Sequence, residues 1–271
     1  MTDRALTVWG ARGSMAVSGK RFQRYGGNTT CYSVEVAPRH LLVVDAGTGL
    51  RSLERTLDLD EPHEFDIVFS HVHLDHVIGL PLFGALYDGR HRLTFHGAPR
   101  EGLRMTDLLH GAYRPPWWPI TIHDAPATTL FRDVDGPFAV GPLTLTPIDL
   151  HHPQGSTGYR IDGARRSIVI ATDHEAGERR IDRRLAEASR GAAVLVHDAQ
   201  YTPDEYRDRR GYGHSTWETA AEAAVGAGVK RLVLTSHDPN RSDEAVDEIV
   251  QSARRIFPMT AGAHEGMTIP L

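Results

Sequence analysis

Within six residues, His71-Val72-His73-Leu74-Asp75-His76 offers three imidazoles and a carboxylate. The motif follows an apolar run at residues 65–69 that reads as a buried strand. It is therefore expected at that strand's carboxyl end, where rigid scaffolds usually present chemistry. Neutral imidazole beside carboxylate suits zinc, manganese or iron. One such run cannot hold two cations alone, so later segments of the chain have to return to this strand end. That requirement constrains the fold more than any other feature.

The order of predicted elements is compatible with such a return. Strands are expected at residues 6–9, 31–36, 41–44, 93–95, 143–148, 167–171, 193–196, 231–234 and 267–270, with Pro38-Arg39 turning a hairpin between the second and third. Helices are expected from Gly49 to about residue 57 and at 79–87, 100–110, 178–189, 215–227 and 242–255. Pro115-Pro116-Trp117-Trp118-Pro119 reads as a rigid aromatic loop. His151-His152, Thr172-Asp173, His197-Asp198 and His237-Asp238 each fall just after a strand. Two sheets covered by helices, in one α/β domain over residues 1–271, is the architecture this order favours.

Composition narrows the setting. The 271 residues suffice for a sizeable core, and 30 basic against 35 acidic residues leave a formal charge of −5 with no basic run. Tight, purely electrostatic binding of nucleic acid is not favoured by that balance. The single cysteine, Cys31, excludes an intrachain disulfide and fits a reducing, cytoplasmic compartment. Met1-Thr2-Asp3-Arg4 does not begin a signal-peptide apolar core, and no apolar run is long enough to span a bilayer.

A two-cation site needs about three or four protein ligands for each ion, with a shared carboxylate and a shared water. His71, His73 and His152 can hold one ion, and Asp75, His76 and His237 the second. Asp173 is the natural bridge, because its two oxygens can serve two cations. His151 is the alternative to His152; Pro153 and Gly155 after His152 favour the latter on turn chemistry. A water shared between two divalent ions loses a proton near neutral pH and becomes a nucleophile. Zinc is the first expectation for both ions, with manganese or iron as alternatives. His174 and His197 read as residues beside or under the site, and Asp45 as a turn residue or a hydrogen-bond acceptor for a ligand.

The His-x-His-x-Asp-His run resembles the signature of the metallo-β-lactamase fold, which implies a four-layer αββα sandwich with metals at one sheet edge. His197-Asp198-Ala199-Gln200-Tyr201 resembles the His-Glu-Ala-Thr segment of its tRNase Z branch. Gly213-His214-Ser215-Thr216 resembles that branch's His-Ser-Thr motif, and Asp45-Ala46-Gly47-Thr48-Gly49 its Asp-Cys-Gly-Glu-Gly segment. The similarity runs in order from about residue 9 to residue 238. It implies a phosphodiesterase, with His214 as general acid to the leaving oxygen, Asp198 holding its imidazole, and Asp75 counted with His214 among the catalytic residues.

Two departures from the branch shape the expectation. Leu234-Thr235-Ser236-His237 brings the last histidine one residue later than the branch's Leu-Thr-His. No Lys-rich arm of the kind that grips tRNA is visible, so tRNA is taken as an improbable substrate, and a small or cyclic nucleotide as the expected one. Trp117, Trp118 and Tyr113 can then offer a face for a base, worth roughly 1–3 kcal/mol per base. A homodimer through the Pro-Trp loop is a further possibility. A hydrolase of carboxylic esters, lactones or thioesters is the alternative function, and a metal-binding sensor or scaffold without turnover the second.

Overall fold

The structure, a computed structural model, describes residues 4–271; the reading of the first residues as lacking a signal sequence falls largely outside it. The first half of the chain lays down β1 (Ala5–Gly10), β2 (Cys31–Ala37), β3 (His40–Val44), β4 (Glu64–Val68), β5 (Arg92–Gly97) and β6 (Thr128–Asp133). The second half lays down β7 (Phe138–Val140), β8 (Leu143–Leu150), β9 (Ser156–Asp162), β10 (Ser167–Ala171), β11 (Val194–Asp198), β12 (Arg231–Thr235) and β13 (Thr260–Gly262). The last strand, β14 (Thr268–Pro270), crosses back to pair with β1. Two seven-stranded sheets result, in the orders β14-β1-β2-β3-β4-β5-β6 and β13-β12-β11-β10-β9-β8-β7.

Three apolar clusters build the layers. Between the sheets, Leu6, Val8 and Tyr32 from one face meet Tyr159, Ile161 and Ile168 from the other, all fully buried. Outside the first sheet lie α1 (Gly49–Glu54) and α3 (Met105–Ala112), and outside the second α4 (Arg179–Ser189), α6 (Trp217–Ala227) and α7 (Asp243–Arg254). Ala220, Ala221, Ala224 and Ala227 make the inner face of α6 small enough to lie close on β11 and β12. The four-layer αββα order is the one the sequence resemblance implied. β10 is buried at every position, as a central strand covered on both faces must be.

The register sets up the site. β3, β4, β5 and β6 run parallel, as do β10, β11, β12 and β13. β8 and β10 each pair antiparallel with β9, so their carboxyl ends emerge at the same side. The ends of β3, β4, β8, β10, β11 and β12 thus open on one edge, the usual place for ligands in such sheets. Bonds between the sheets hold that edge shut: Tyr159 donates to the Phe69 carbonyl at 2.8 Å, Thr157 N to the Ser70 carbonyl at 2.9 Å, and the Tyr32 and Thr235 hydroxyls meet at 2.8 Å.

Some boundaries differ from expectation. The helix expected at 79–87 is instead a four-residue α2 (Leu74–Val77) followed by two short 3-10 turns, Leu80–Leu82 and Gly84–Tyr87. Gly79 abuts the backbone, where a Cβ would lie 2.1 Å from the Gly47 carbonyl oxygen, and Pro81 has no N–H to extend a helix. The helix expected from residue 100 begins at Met105, because Glu101 (φ 49) and Gly102 (φ 78) make a left-handed turn closed by Arg100 and Leu103. Among the described residues no helix is long and apolar enough to cross a membrane.

Candidate metal centre

The apolar run of β4 continues one residue past the strand to Phe69, and the chain turns at Ser70 into the histidine run. Leu74–Val77 then makes one helical turn that swings Asp75 and His76 inward while Leu74 stays 70% exposed. A hydrogen-bond chain sets the ring tautomers. Asp45, fully buried at the end of β3, accepts from Ser70 N and Ser70 Oγ, each at 2.8 Å, and from His76 Nδ1 at 2.9 Å. Since the Ser70 hydroxyl donates to Asp45, it accepts from His71 Nδ1 at 3.0 Å. The Nε2 atoms of both rings therefore face the cluster, and both are buried without a hydrogen-bond partner.

The returning segments meet these nitrogens. His152 Nδ1 donates to the Gly213 carbonyl at 2.8 Å, which leaves its Nε2 3.1 Å from His73 Nδ1. His73 uses its other nitrogen on Gln154 Oε1 at 3.1 Å. Two ring nitrogens thus face each other at a distance that a proton or a bound cation has to bridge. His76 Nε2 lies 3.2 Å from Asp173 Oδ2 and 3.3 Å from Asp75 Oδ2, and Asp75 Oδ2 also accepts from Ser14 N at 2.9 Å. Ligand atoms from His71, His73 and His152, from His71, His76 and Asp173, and from His152, Asp173 and His214 form groups that each lie within 4.8 Å. The unpartnered nitrogens and this nitrogen-and-carboxylate donor set fit divalent ions.

The field is set by cations and anions in close quarters. Burial works against the charged form of His76, but Asp173, Asp75 and Asp45 outweigh it and raise its pKa well above the ordinary value. Burial pushes His71 and His152 the other way, to the neutral form a metal ligand needs. Burial also disfavours the Asp173 carboxylate, yet His76, His214 and His71 hold its pKa well below the usual range. Asp45 (φ 60), Asp173 (φ 55) and Ser236 (φ 58) each leave their strand in the left-handed conformation, a backbone cost of about 1 kcal/mol apiece that clusters at one edge.

Next to the cluster stands His214. Its Nδ1 donates to Asp198 Oδ2 at 2.7 Å and lies 3.8 Å from Asp173 Oδ1. Asp198 is fully buried at the end of β11 and also accepts from Ser215 N at 2.9 Å and Asp173 N at 3.2 Å. Burial opposes the charge on His214, but Asp198, Asp173 and Asp75 push its pKa up to about 9. The loop before it is fixed by Glu175, whose carboxylate accepts from Gly211 N, Gly213 N and the Tyr206 hydroxyl at 2.7–2.8 Å. Gly213 has φ +87, and a Cβ there would sit 2.1 Å from His152 Nδ1.

Of the predicted ligands, the structure gathers His71, His73, Asp75, His76, His152 and Asp173, with His214 beside them. His237 does not join. Its Nε2 bonds the Ala263 carbonyl at 2.9 Å, its ring meets the edge of Tyr25, and burial lowers its pKa to about 3. The reason is local: Ser236 takes the strand-end turn, so the next side chain points away from Asp173. His151 is exposed and bonds the Glu175 carbonyl. His174 faces Asp182 at 3.3 Å, and His197 Nδ1 donates to the Asp198 carbonyl at 2.7 Å. The expected aromatic face does not form as a unit: Tyr113 is buried and donates to the Val77 carbonyl, while Trp117 is 78% exposed. No motif in the sequence points to Ser70, Gln154 or Glu175. Gln154 sits in the turn that Pro153 and Gly155 announce, but Glu175 is 38 residues from Gly213 and carries no local signal.

The chain belongs to the beta-lactamase superfamily, whose domain matches over residues 40–237. It is similar to a ribonuclease Z of Bacillus velezensis, 24% identical over 255 residues that cover 77% of this chain and 82% of that protein. Among solved structures, the metallo-beta-lactamase fold protein YhfI of Bacillus subtilis aligns over all of both chains with a TM-score of 0.75 and 21% identity. Human tRNase Z, short form, aligns over 98% of both with a TM-score of 0.65 and 19% identity. These relatives overturn the exclusion of tRNA drawn from the acidic charge and the missing arm. Net charge is a sum over the whole surface and does not describe the field at a cation-binding edge.

Proposed function

We propose that this metal-dependent hydrolase is a phosphodiesterase. The observation that carries the reading is His214: a buried imidazole, held by Asp198 at 2.7 Å, beside a cluster of cation ligands. His71, His73 and His152 would hold one divalent ion and Asp75, His76 and Asp173 a second, zinc being the first choice for both. Such ions, when bound, polarise a phosphoryl oxygen and lower the pKa of water near it.

The chain's own groups do the rest. Asp45 and Ser70 orient the rings of His76 and His71 through their Nδ1 atoms so that Nε2 of each faces the ions, and Gly213 and Gln154 orient His152 and His73. Asp198 accepts the Nδ1 proton of His214, so Nε2 is the atom from which a proton passes to the departing alkoxide. With a pKa pushed up to about 9, His214 keeps that proton at neutral pH. The substrate we propose is a nucleotide phosphodiester, in particular a small or cyclic one. tRNA carries the same reacting group and belongs in the same assay. A reducing, cytoplasmic setting suits the free, buried Cys31.

The test is hydrolysis of bis(p-nitrophenyl) phosphate, cyclic nucleotides, dinucleotides and tRNA by metal-loaded protein, alongside His214→Ala. Turnover should fall by about 10²–10⁴-fold in the variant with metal content unchanged. Fully loaded wild-type protein that cleaves none of these diesters would refute the proposal, and lactones and thioesters would be the next panel.

A further inference from the structure

Away from the metal centre, a cavity of about 390 Å³ opens between α4 and α6 over the outer face of β11. Side chains alternate along that strand, so Val194 and Val196 enter the core between the sheets while Leu195 and His197 face the helices. Small residues keep the helices from filling the gap: Ala186 on α4, and Ala223 and Gly226 on α6. A Cβ added at Gly226, or at Gly177 ahead of α4, would meet no atom within 4 Å. The walls are mostly apolar, and the volume falls in the range of roughly 300–1,000 Å³ that takes a small molecule. Arg179, Arg180, Arg183 and Arg184 of α4 are all exposed, and none of them lines the cavity. What α4 turns inward is Asp182, Leu185, Ala186 and Ser189.

The polar groups of the lining have mostly spent their donors and kept their acceptors. His197 Nδ1 donates to the Asp198 carbonyl at 2.7 Å, and burial lowers the ring's pKa to about 4, so Nε2 is a bare acceptor. His174 Nδ1 accepts from His151 N at 3.2 Å, which puts its proton on Nε2, 3.3 Å from Asp182 Oδ1. Thr219 Oγ1 donates to the Thr216 carbonyl at 3.0 Å. The other oxygen of Asp182 accepts from Gly177 N at 2.9 Å, and this side chain is still 35% exposed, with lone pairs to spare. Glu222, exposed on α6, brings a second carboxylate to the rim. The exception is Ser189 Oγ, fully buried without a partner, which can give or accept.

Acceptors and carboxylates without a lysine or arginine among them repel an anion and match a ligand that brings its own N–H groups and positive charge. We infer that this cavity is a second binding site, for a small primary amine in its ammonium form with an apolar body. The ammonium turns toward Asp182 and Glu222, and the body packs on Leu185, Leu195 and Ala223. His174 and His197, at the floor, adjoin Asp173 and Asp198 in the chain. A bound amine therefore sits behind the edge that carries the cation ligands and His214. Binding there does not depend on which ester the centre hydrolyses.

The test uses the full chain incubated with zinc and reads binding by titration calorimetry. Phenethylamine, phenethyl alcohol and phenylacetate share one apolar body and differ in charge. The amine should bind once per chain with a Kd below about 1 mM, the alcohol at least about tenfold more weakly, and phenylacetate more weakly still. Ala223→Phe puts a ring into the cavity and should weaken the amine at least about tenfold with zinc content unchanged. Asp182→Asn keeps the shape and removes the charge; it should weaken the amine at least about fivefold and leave the alcohol within about twofold. Circular dichroism checks that each variant is folded, and Asp182→Asn decides alone if Ala223→Phe is not. No amine binding up to about 10 mM, or an alcohol that binds as tightly as the amine, would overturn the inference. So would an amine whose affinity Asp182→Asn leaves unchanged, since it would be bound elsewhere.

Discussion

Replacing His237 by Gln separates the residue's predicted role from the one the fold assigns. The imidazole is 2% exposed, bonds the Ala263 carbonyl and has its pKa lowered to about 3 by burial. In the unfolded chain the same ring titrates near about 6.5. The folded pKa is the depressed one, so the stability it contributes is fully present above about pH 6.5 and drains away as pH falls toward the folded value, up to about 5 kcal/mol in all. Between pH 7 and pH 5 the unfolded chain gains about three-quarters of a proton that the folded chain refuses, a loss of about 2 kcal/mol from this residue alone. Gln keeps a donor for Ala263 but does not titrate. Urea unfolding of both proteins at the two pH values should show the variant losing about 2 kcal/mol less than wild type, since other titrating groups cancel in the difference. Zinc content should be the same in both. An equal pH dependence would refute the buried, neutral imidazole, and a variant that loses zinc would return His237 to the ligand set.

Other perturbations act on the centre itself. Asp45→Asn removes the charge that His76 Nδ1 and Ser70 face, and should weaken zinc at His76 by about 10–100-fold in a chelator competition, with little change in fold by circular dichroism. Gly213→Ala drives a methyl into His152 Nδ1 at a backbone position with φ +87; destabilisation of about 1–2 kcal/mol is expected together with reduced zinc content, and a fully loaded variant would contradict it. Stripping metal with a chelator leaves close-set lone pairs and carboxylates without their counter-charge. For an ion present at about a hundred times its Kd, removal should cost about 3 kcal/mol and lower Tm by several degrees, reversed on adding zinc back.

Much of this candidate centre is legible in the sequence. The six-residue histidine run states its own geometry, because adjacent residues at a strand end and on one helical turn cannot move far apart. His152, Asp173 and His214 were legible as well, each sitting just past an apolar strand or before a capped helix. So was the pairing of two helix-covered sheets, from the order of strands and helices, with the four-layer order implied by the family resemblance. The tertiary structure decided what depends on contacts distant in sequence or on a single residue of phase. Asp45 reaches His76 across 31 residues, and Glu175 fixes Gly213 across 38. The 79–87 helix broke where Gly79 met the Gly47 backbone. At the end of β12, successive side chains point to opposite sides, so one position of phase puts Ser236 toward Asp173 and His237 toward Ala263. Composition and motif cannot register that difference, because both residues stand in the same short string; only the backbone that carries them decides which one faces the site.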